Sequence, residues 1–267
     1  MIAIVVDSTV YITRREAHLY GVSVVPSRYN NKFDKYIDDI KDDSIYDEFF
    51  LSTAQPDVKS FYNTFRELVK RGYDILCLTI SSKMSGTYNA ACAAANHIKG
   101  VNICVVDSRV TGGGLLILLK KARMLADKNI ALNDIANEMI RMRDNIVIKY
   151  TVDELNIMKN SKRVSYIRQS VASILNLKPV FSCDKGALLL EEEPARNGYD
   201  LIRRLTQGIP PKTDYIIIHY IIPNQLVEDI RKYLSARYPG ALIQLRKLGP
   251  VIGINTGSSI CAVIWEK

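Results

Sequence analysis

Two periods of apolar and polar residues alternate along this chain. "IAIVVD" (Ile2 to Asp7), "ILCLTI" (Ile75 to Ile80) and "VNICVVD" (Val101 to Asp107) are short apolar runs rich in branched side chains. Such runs suit strands of a parallel sheet buried on both faces. "VKSFYNTFRELVK" instead places Val58, Phe61, Tyr62, Phe65, Leu68 and Val69 at steps of three and four, the mark of a one-sided helix. Further helices are predicted in "TRREAHLY", in "GLLILLKKARMLAD" and around "DIANEMIRMRDN", and a further strand in "GVSVVPSRY". The acidic segment "DDIKDDSIYDEFF", with Ile45, Phe49 and Phe50, reads as a surface helix. Strands alternating with helices predict a parallel sheet covered on both sides. In such sheets ligands bind beyond the carboxyl ends of the strands. Asp7-Ser8-Thr9, the hydroxyl cluster Ser81 to Thr87 and Asp107-Ser108 all follow strands directly, so they are expected at one edge.

After Tyr150 the pattern changes. A basic stretch, "KNSKRVSYIRQSVASILNLKP", precedes "PVFS" and "ALLLEEEPAR", which flank the turn "CDKG" as an antiparallel hairpin. A helix from Tyr199 to Leu205, the strand "DYIIIHY" and the helix "NQLVEDIRKYLSARY" follow, and "ALIQLRKL" and "AVIWEK" flank "GPVIGINTGSSIC". The fold expected is α/β with two domains, residues 1–150 and 151–267: a parallel sheet flanked by helices, then an α/β unit with a mixed or antiparallel sheet. His219 is read as the end of its strand and not as a catalytic group.

Composition narrows the function classes. The longest uncharged apolar run, Val110 to Leu119, is shorter than the roughly 20 residues that cross a bilayer. The N-terminus lacks the basic start of a signal peptide, so the chain reads as cytoplasmic. Five scattered cysteines with no CxxC pair argue against a disulfide framework, and Cys77 and Cys104, inside apolar runs, are expected to be buried small hydrophobes. No histidine is spaced with acids as a metal ligand set. The net charge of +8 is spread, +3 over the first 150 residues and +5 over the rest, with no basic tract of the kind that binds nucleic acid. It suits acidic partners or transient contact with an anionic membrane surface. No GxxxxGK[ST] or GxGxxG loop is present, so neither a nucleotide site nor any other cofactor is expected.

The candidate chemistry lies in "TISSKMSGTYNAACAAA", where a strand end meets a helix start amid hydroxyls: Ser81, Ser82, Ser85 and Thr87 around Gly86. Ser85 or Thr87 could be an ordinary N-cap. Equally, a helix start with free N–H groups favours an anion, and Gly86 lets the backbone approach it. A second hydroxyl segment, "STAQPDVKSF", sets Thr53 before Gln55-Pro56. A third, "GPVIGINTGSS", with Gly253 and Gly257, suits a loop close to a ligand or another backbone.

Taken in order, "IAIVVDST", "TAQP", "GYDILCLTISSKMSGTYNAA", "VNICVVDSR", "ILNLKPVFSCDKGALLLEEEPAR" and "GPVIGINTG" resemble the DegV family over essentially the whole chain. Its members include the fatty-acid-binding carrier subunits of bacterial fatty acid kinase. The resemblance implies the two-domain DegV, or EDD, fold with one long-chain fatty acid between the domains. It implies that Thr53 and Ser85 bind the carboxylate beside Gly86, with Ser82, Asn255 and Thr256 completing the candidate set. It also implies a protein that is no enzyme itself but presents its lipid to a separate ATP-dependent kinase subunit. The acyl phosphate then enters phospholipid synthesis, and Arg196 corresponds to a kinase-contacting arginine. Three departures stand out: Asn255 and Ser258 replace the family's usual histidine and proline, Ala54 replaces a serine, and "KNSKR" keeps Arg163 but loses two glycines. Asparagine can bind a carboxylate yet carries no proton near neutral pH, which weakens any support of phosphoryl transfer. The alternative is a binding protein or enzyme for a small polar or phosphorylated metabolite, since related folds occur in dihydroxyacetone kinase.

Overall fold

The structure, a computed structural model, describes residues 1–30, 32–40, 52–153 and 178–267. The expected acidic helix at Ile45, Phe49 and Phe50 and the basic stretch with Arg163 lie outside these residues.

The chain opens with β1 (Ile2–Asp7), α1 (Arg14–Leu19) and β2 (Val22–Val25). The single strand expected from Gly21 to Tyr29 is broken at Pro26, and β3 (Ser27–Tyr29) leaves to pair with β4 (Lys32–Asp34) and β5 (Thr53–Ala54) in a small antiparallel sheet. Proline offers no N–H to continue a ladder, which accounts for the break. Then come α2 (Val58–Lys70), β6 (Asp74–Thr79), α3 (Thr87–Asn96), β7 (Ile103–Asp107), α4 (Gly113–Asp127) and α5 (Leu132–Met142). The helix α2 occupies the span its periodicity predicts. Asp57 caps it by accepting from the Ser60 N–H at 2.7 Å, and Phe61, Phe65 and Leu68 are buried while Val58 stays exposed. Strands β1, β2, β6 and β7 form the predicted parallel sheet in the order β2-β1-β6-β7.

The second sheet begins at β8 (Ile146–Thr151), so the division expected after Tyr150 falls inside its first strand. The chain continues with the hairpin β9 (Phe181–Asp184) and β10 (Ala187–Leu190), α6 (Gly198–Leu205) and β11 (Tyr215–Tyr220). It ends with α7 (Gln225–Arg237), β12 (Leu242–Lys247), α8 (Pro250–Thr256) and β13 (Cys261–Glu266). The order is β10-β9-β8-β13-β11-β12, antiparallel except for the parallel β11–β12 pair, which is the mixed sheet expected.

The apolar faces stack these elements in layers. Ala3, Val5 and Cys77 on one face of the first sheet pack on α2 and α3. Its other face, with Ile4, Leu76 and Leu78, meets α4 and α5, and beyond them Ile148, Tyr150, Ile217 and Ile264 of the second sheet. The outer face of that sheet, with Ile218, Val263 and Trp265, packs on α6 and α7. Lying between two sheets explains why the first half of α4, Gly113 to Leu119, is apolar all round: a helical stretch buried on every side has no polar face to keep. Cys77 is buried as expected, whereas Cys104 is only half-buried at the sheet's edge strand, with its Sγ 3.3 Å from Asn133 Oδ1.

One ion pair ties the halves. Arg246 of β12, 7% exposed, donates from Nη1 and Nη2 to both carboxylate oxygens of Glu16 at 2.7 and 2.8 Å and from Nη2 to the Tyr11 carbonyl at 2.8 Å. Burial pushes the Glu16 carboxyl up, but the hydrogen bonds and charge of Arg246 outweigh it and hold the group below its ordinary range. Glu16 also closes a capping box with Thr13 at the start of α1.

Candidate functional site

The carboxyl ends of β1, β6 and β7 bring the three predicted loops to one edge, and the loops are bonded to one another there. Asp7, fully buried, accepts from the Thr9 hydroxyl at 2.6 Å and from the Ile80 N–H at 2.6 Å. Burial raises its pKa, and those same hydrogen bonds oppose the rise.

The hydroxyl cluster after β6 divides into separate tasks. Ser81 donates to the Gly186 carbonyl at 2.7 Å, so it docks the hairpin of the second sheet. Ser82 donates to Asp107 Oδ2 at 2.6 Å. Ser85 and Thr87 share a 2.8 Å hydrogen bond at the start of α3. The N-cap there is Gly86, which has no side chain; the Ser85 hydroxyl just before it accepts from the Thr87 N–H at 3.4 Å. A Cβ on Gly86 would collide with the Gln55 amide; glycine lets the loop around Gln55 approach α3 this closely.

The third segment departs from expectation. The stretch read as a loop forms the helix α8, with Pro250 in its first turn and Gly257 leaving it at φ +84°. Partners from far along the chain close its start: Asp34 accepts from the Val251 N–H at 3.3 Å, and the Tyr11 hydroxyl accepts from the Ile252 N–H at 3.0 Å. Asp34 is pushed up to about 7 by burial, despite the Val251 bond. Held this way, α8 aims the Asn255 amide at Thr53 Oγ1, 3.3 Å away, while the same nitrogen donates to the Val251 carbonyl at 2.7 Å.

These groups surround a cavity between the two sheets. Its empty space, open mouth and adjoining solvent included, is about 950 Å³. Thr53, Ser85, Asn255 and Thr256 line it, and so do Gln55 and Thr87. Ser82 and Gly86 are not lining residues; both act on the loops behind it. Arg196 is exposed just before α6, which packs on the outer face of the second sheet, opposite the cavity. Most of the lining surface is apolar, with Ile80, Met84, Ile148, Leu188, Leu248 and Ile264 contributing to it. Among the described residues, no lysine or arginine lines the cavity.

Several lining residues escaped the sequence reading, His219 foremost. It lies one residue from the end of β11, as expected, but it is buried and lines the cavity. The Gly113 N–H donates to its Nε2 at 2.6 Å, which fixes Nδ1 as the protonated nitrogen, and that nitrogen donates to the Arg246 carbonyl at 2.9 Å. Burial holds its pKa down at about 3, so the ring is neutral and occupied on both sides. Thr111, Gly112 and Tyr150 also line the space, and nothing local in the sequence marks them. Thr9, by contrast, belongs to the edge that the strand pattern indicated.

A family model described as "Uncharacterised protein, DegV family" matches residues 1–267. A DegV domain-containing protein of Clostridium acetobutylicum is 26% identical over 284 residues, covering 99% of this chain and 98% of the relative. Among solved structures, a DegV family protein from Thermus thermophilus described for fatty acid binding superposes with a TM-score of 0.85 at 24% identity, covering 100% of this chain and 99% of its own. A stearic-acid-binding protein from Eubacterium ventriosum superposes at 0.87 with 20% identity and the same coverage. At these identities the structural likeness is one of fold, and the fold is the DegV one.

Proposed function

This chain belongs to the DegV family, and from that premise we propose that it binds one long-chain fatty acid in the cavity between its sheets. The observation that carries this reading is a cavity with a mainly apolar lining surface, whose wall includes neutral hydroxyl and amide groups from three separate segments. Thr53, Ser85 and Asn255 hold the carboxylate, Thr256 supports the same wall, and the acyl chain lies along the aliphatic lining. A carboxylate is met by neutral donors alone, whereas a phosphate would call for a cation, and none lines the described cavity. That favours a lipid over a small phosphorylated metabolite. The protein is a carrier and not an enzyme, presenting its lipid to a separate ATP-dependent kinase subunit. Arg196, exposed and well away from the cavity, is free to serve a contact surface for such a partner. Asn255, unable to take or give a proton near neutral pH, contributes binding only.

Denaturing extraction of the purified protein followed by mass spectrometry tests the reading. One equivalent of a long-chain fatty acid is the expected result. An extract free of lipid, from protein that also takes up neither oleate nor palmitate, overturns it.

A further inference from the structure

Two of the cavity's hydroxyls have nothing to bond to. Thr111 Oγ1 and the Tyr150 hydroxyl are buried without a hydrogen-bond partner, and both residues line the cavity. Other polar groups of the wall are engaged: Thr9 with Asp7, Ser85 with Thr87, Asn255 with Thr53, and His219 on both nitrogens. An unmet buried hydroxyl costs about 1–3 kcal/mol, so two in one apolar space call for an explanation.

The sheet register places them at one level. Tyr150 on β8 pairs with Ala262 on β13, which pairs with His219 on β11, so these three form a row across the cavity floor. With strands about 4.8 Å apart, roughly 10 Å separates the backbone of Tyr150 from that of His219. Thr111 is two residues before Gly113, whose N–H is bonded to His219, so it sits at the His219 end of the row. The residue between, Ala262, is small and leaves room above it. Tyr150 is fixed from behind by stacking on Phe181, with ring centroids 4.8 Å apart and planes at 13°. Rows on either side are aliphatic: Ile148 and Ile264 pair in the next inward-facing position.

We propose that the acyl chain this cavity is shaped for carries a hydroxyl group, which passes over Ala262 and hydrogen-bonds with Tyr150 and Thr111. The proposal rests on the fatty-acid reading above and narrows it to hydroxylated long-chain fatty acids. A hydroxyl is donor and acceptor at once, as are both of its partners, so one substituent satisfies the pair. Tyr150 and Thr111 are thereby the specificity-determining residues of the wall, distinct from the carboxylate-holding groups.

The test is displacement of a fluorescent fatty acid analogue by stearic acid and by a positional series of monohydroxystearic acids. It is run on the wild type and on the Tyr150→Phe/Thr111→Val double variant. Removing hydroxyls that bond nothing leaves the fold intact, and the ligand-free variant is expected to denature no earlier than the wild type. At least one isomer is expected to bind about tenfold more tightly than stearic acid to the wild type. In the variant that preference falls to parity. A wild type that prefers no isomer, as when a lone water bridges the two hydroxyls, overturns the proposal. So does a preference that survives in the variant. Failure of stearic acid and every isomer to bind overturns the fatty-acid reading itself, and this proposal with it.

Discussion

Of the helices that begin at the cavity wall, α3 and α4 both begin with glycine and invite comparison. At α3 the N-cap is Gly86, and at α4 it is Gly112; neither has a side-chain cap of its own. Yet the two starts end in opposite states. The second sheet supplies His219 to α4, and its neutral ring takes the Gly113 N–H at 2.6 Å. At α3 the side-chain partner of the helix start is local: the Ser85 hydroxyl accepts from the Thr87 N–H at 3.4 Å, and both residues line the cavity beside Thr53 and Asn255. A glycine-capped helix start is thus only potentially an anion site. Whether it is open depends on what the opposite wall brings to it.

The largest effect is expected from removing the group that sets the two starts apart. His219→Ala strands the Gly113 N–H and the Arg246 carbonyl in a buried place, which costs about 3 kcal/mol in urea denaturation. The same variant tests the charge state. Burial holds the folded pKa near about 3 against an ordinary 6.5, so between those values the unfolded chain binds a proton that the folded chain refuses. The contribution of His219 is therefore complete above about pH 6.5 and lost as pH falls toward 3. The stability gap between wild type and His219→Ala should narrow over that window. A gap that stays constant would mean that the ring accepts a proton without leaving its place.

Next in size is the open start. A Thr53→Ala/Ser85→Ala double variant removes two donors to a charged oxygen, and fatty-acid affinity is expected to fall about 100-fold by calorimetry. The denaturation midpoint of the ligand-free protein should fall less than in His219→Ala, because Thr87 and Asn255 each lose one partner at the cavity wall. If instead stability falls as far and affinity holds, the roles assigned to the two helix starts are exchanged. The smallest effect belongs to Asn255→Ala, which gives up its bonds to Thr53 and the Val251 carbonyl. About a fivefold loss of affinity is expected in the same titration.

The alternating strands and helices of the first half were legible because their apolar faces repeat locally. The α2 span and the Cys183 to Gly186 hairpin turn come straight from periodicity and turn chemistry. Thr53, Ser85 and Asn255 could be singled out because hydroxyl and amide groups cluster beside glycine or proline in three separate segments. Their separate fates could not be. Ser81, Ser82 and Ser85 look alike in sequence, yet they bond respectively to the opposite hairpin, to Asp107 and to the cavity-facing Thr87. The segment "GPVIGINTG" is glycine-rich enough to read as a loop. It is a helix because Tyr11 and Asp34, more than 200 positions away, close its first turn.

By itself, then, the sequence determined most of the strand and helix pattern, the parallel character of the first sheet and the hydroxyl and amide groups of three segments that meet at the cavity. These depend on residues within a few positions of one another, where period and side-chain type are enough. The tertiary structure alone decided which helix start stays open, where Ser81 and Ser82 turn, and that Tyr150, Ala262 and His219 lie in one row. Each of those outcomes rests on a hydrogen bond or a strand register between distant parts of the chain. Gly113 and His219 are 106 residues apart, and Glu16 and Arg246 are 230 apart. A buried polar group must find a partner, but the chain's local pattern carries no record of which one.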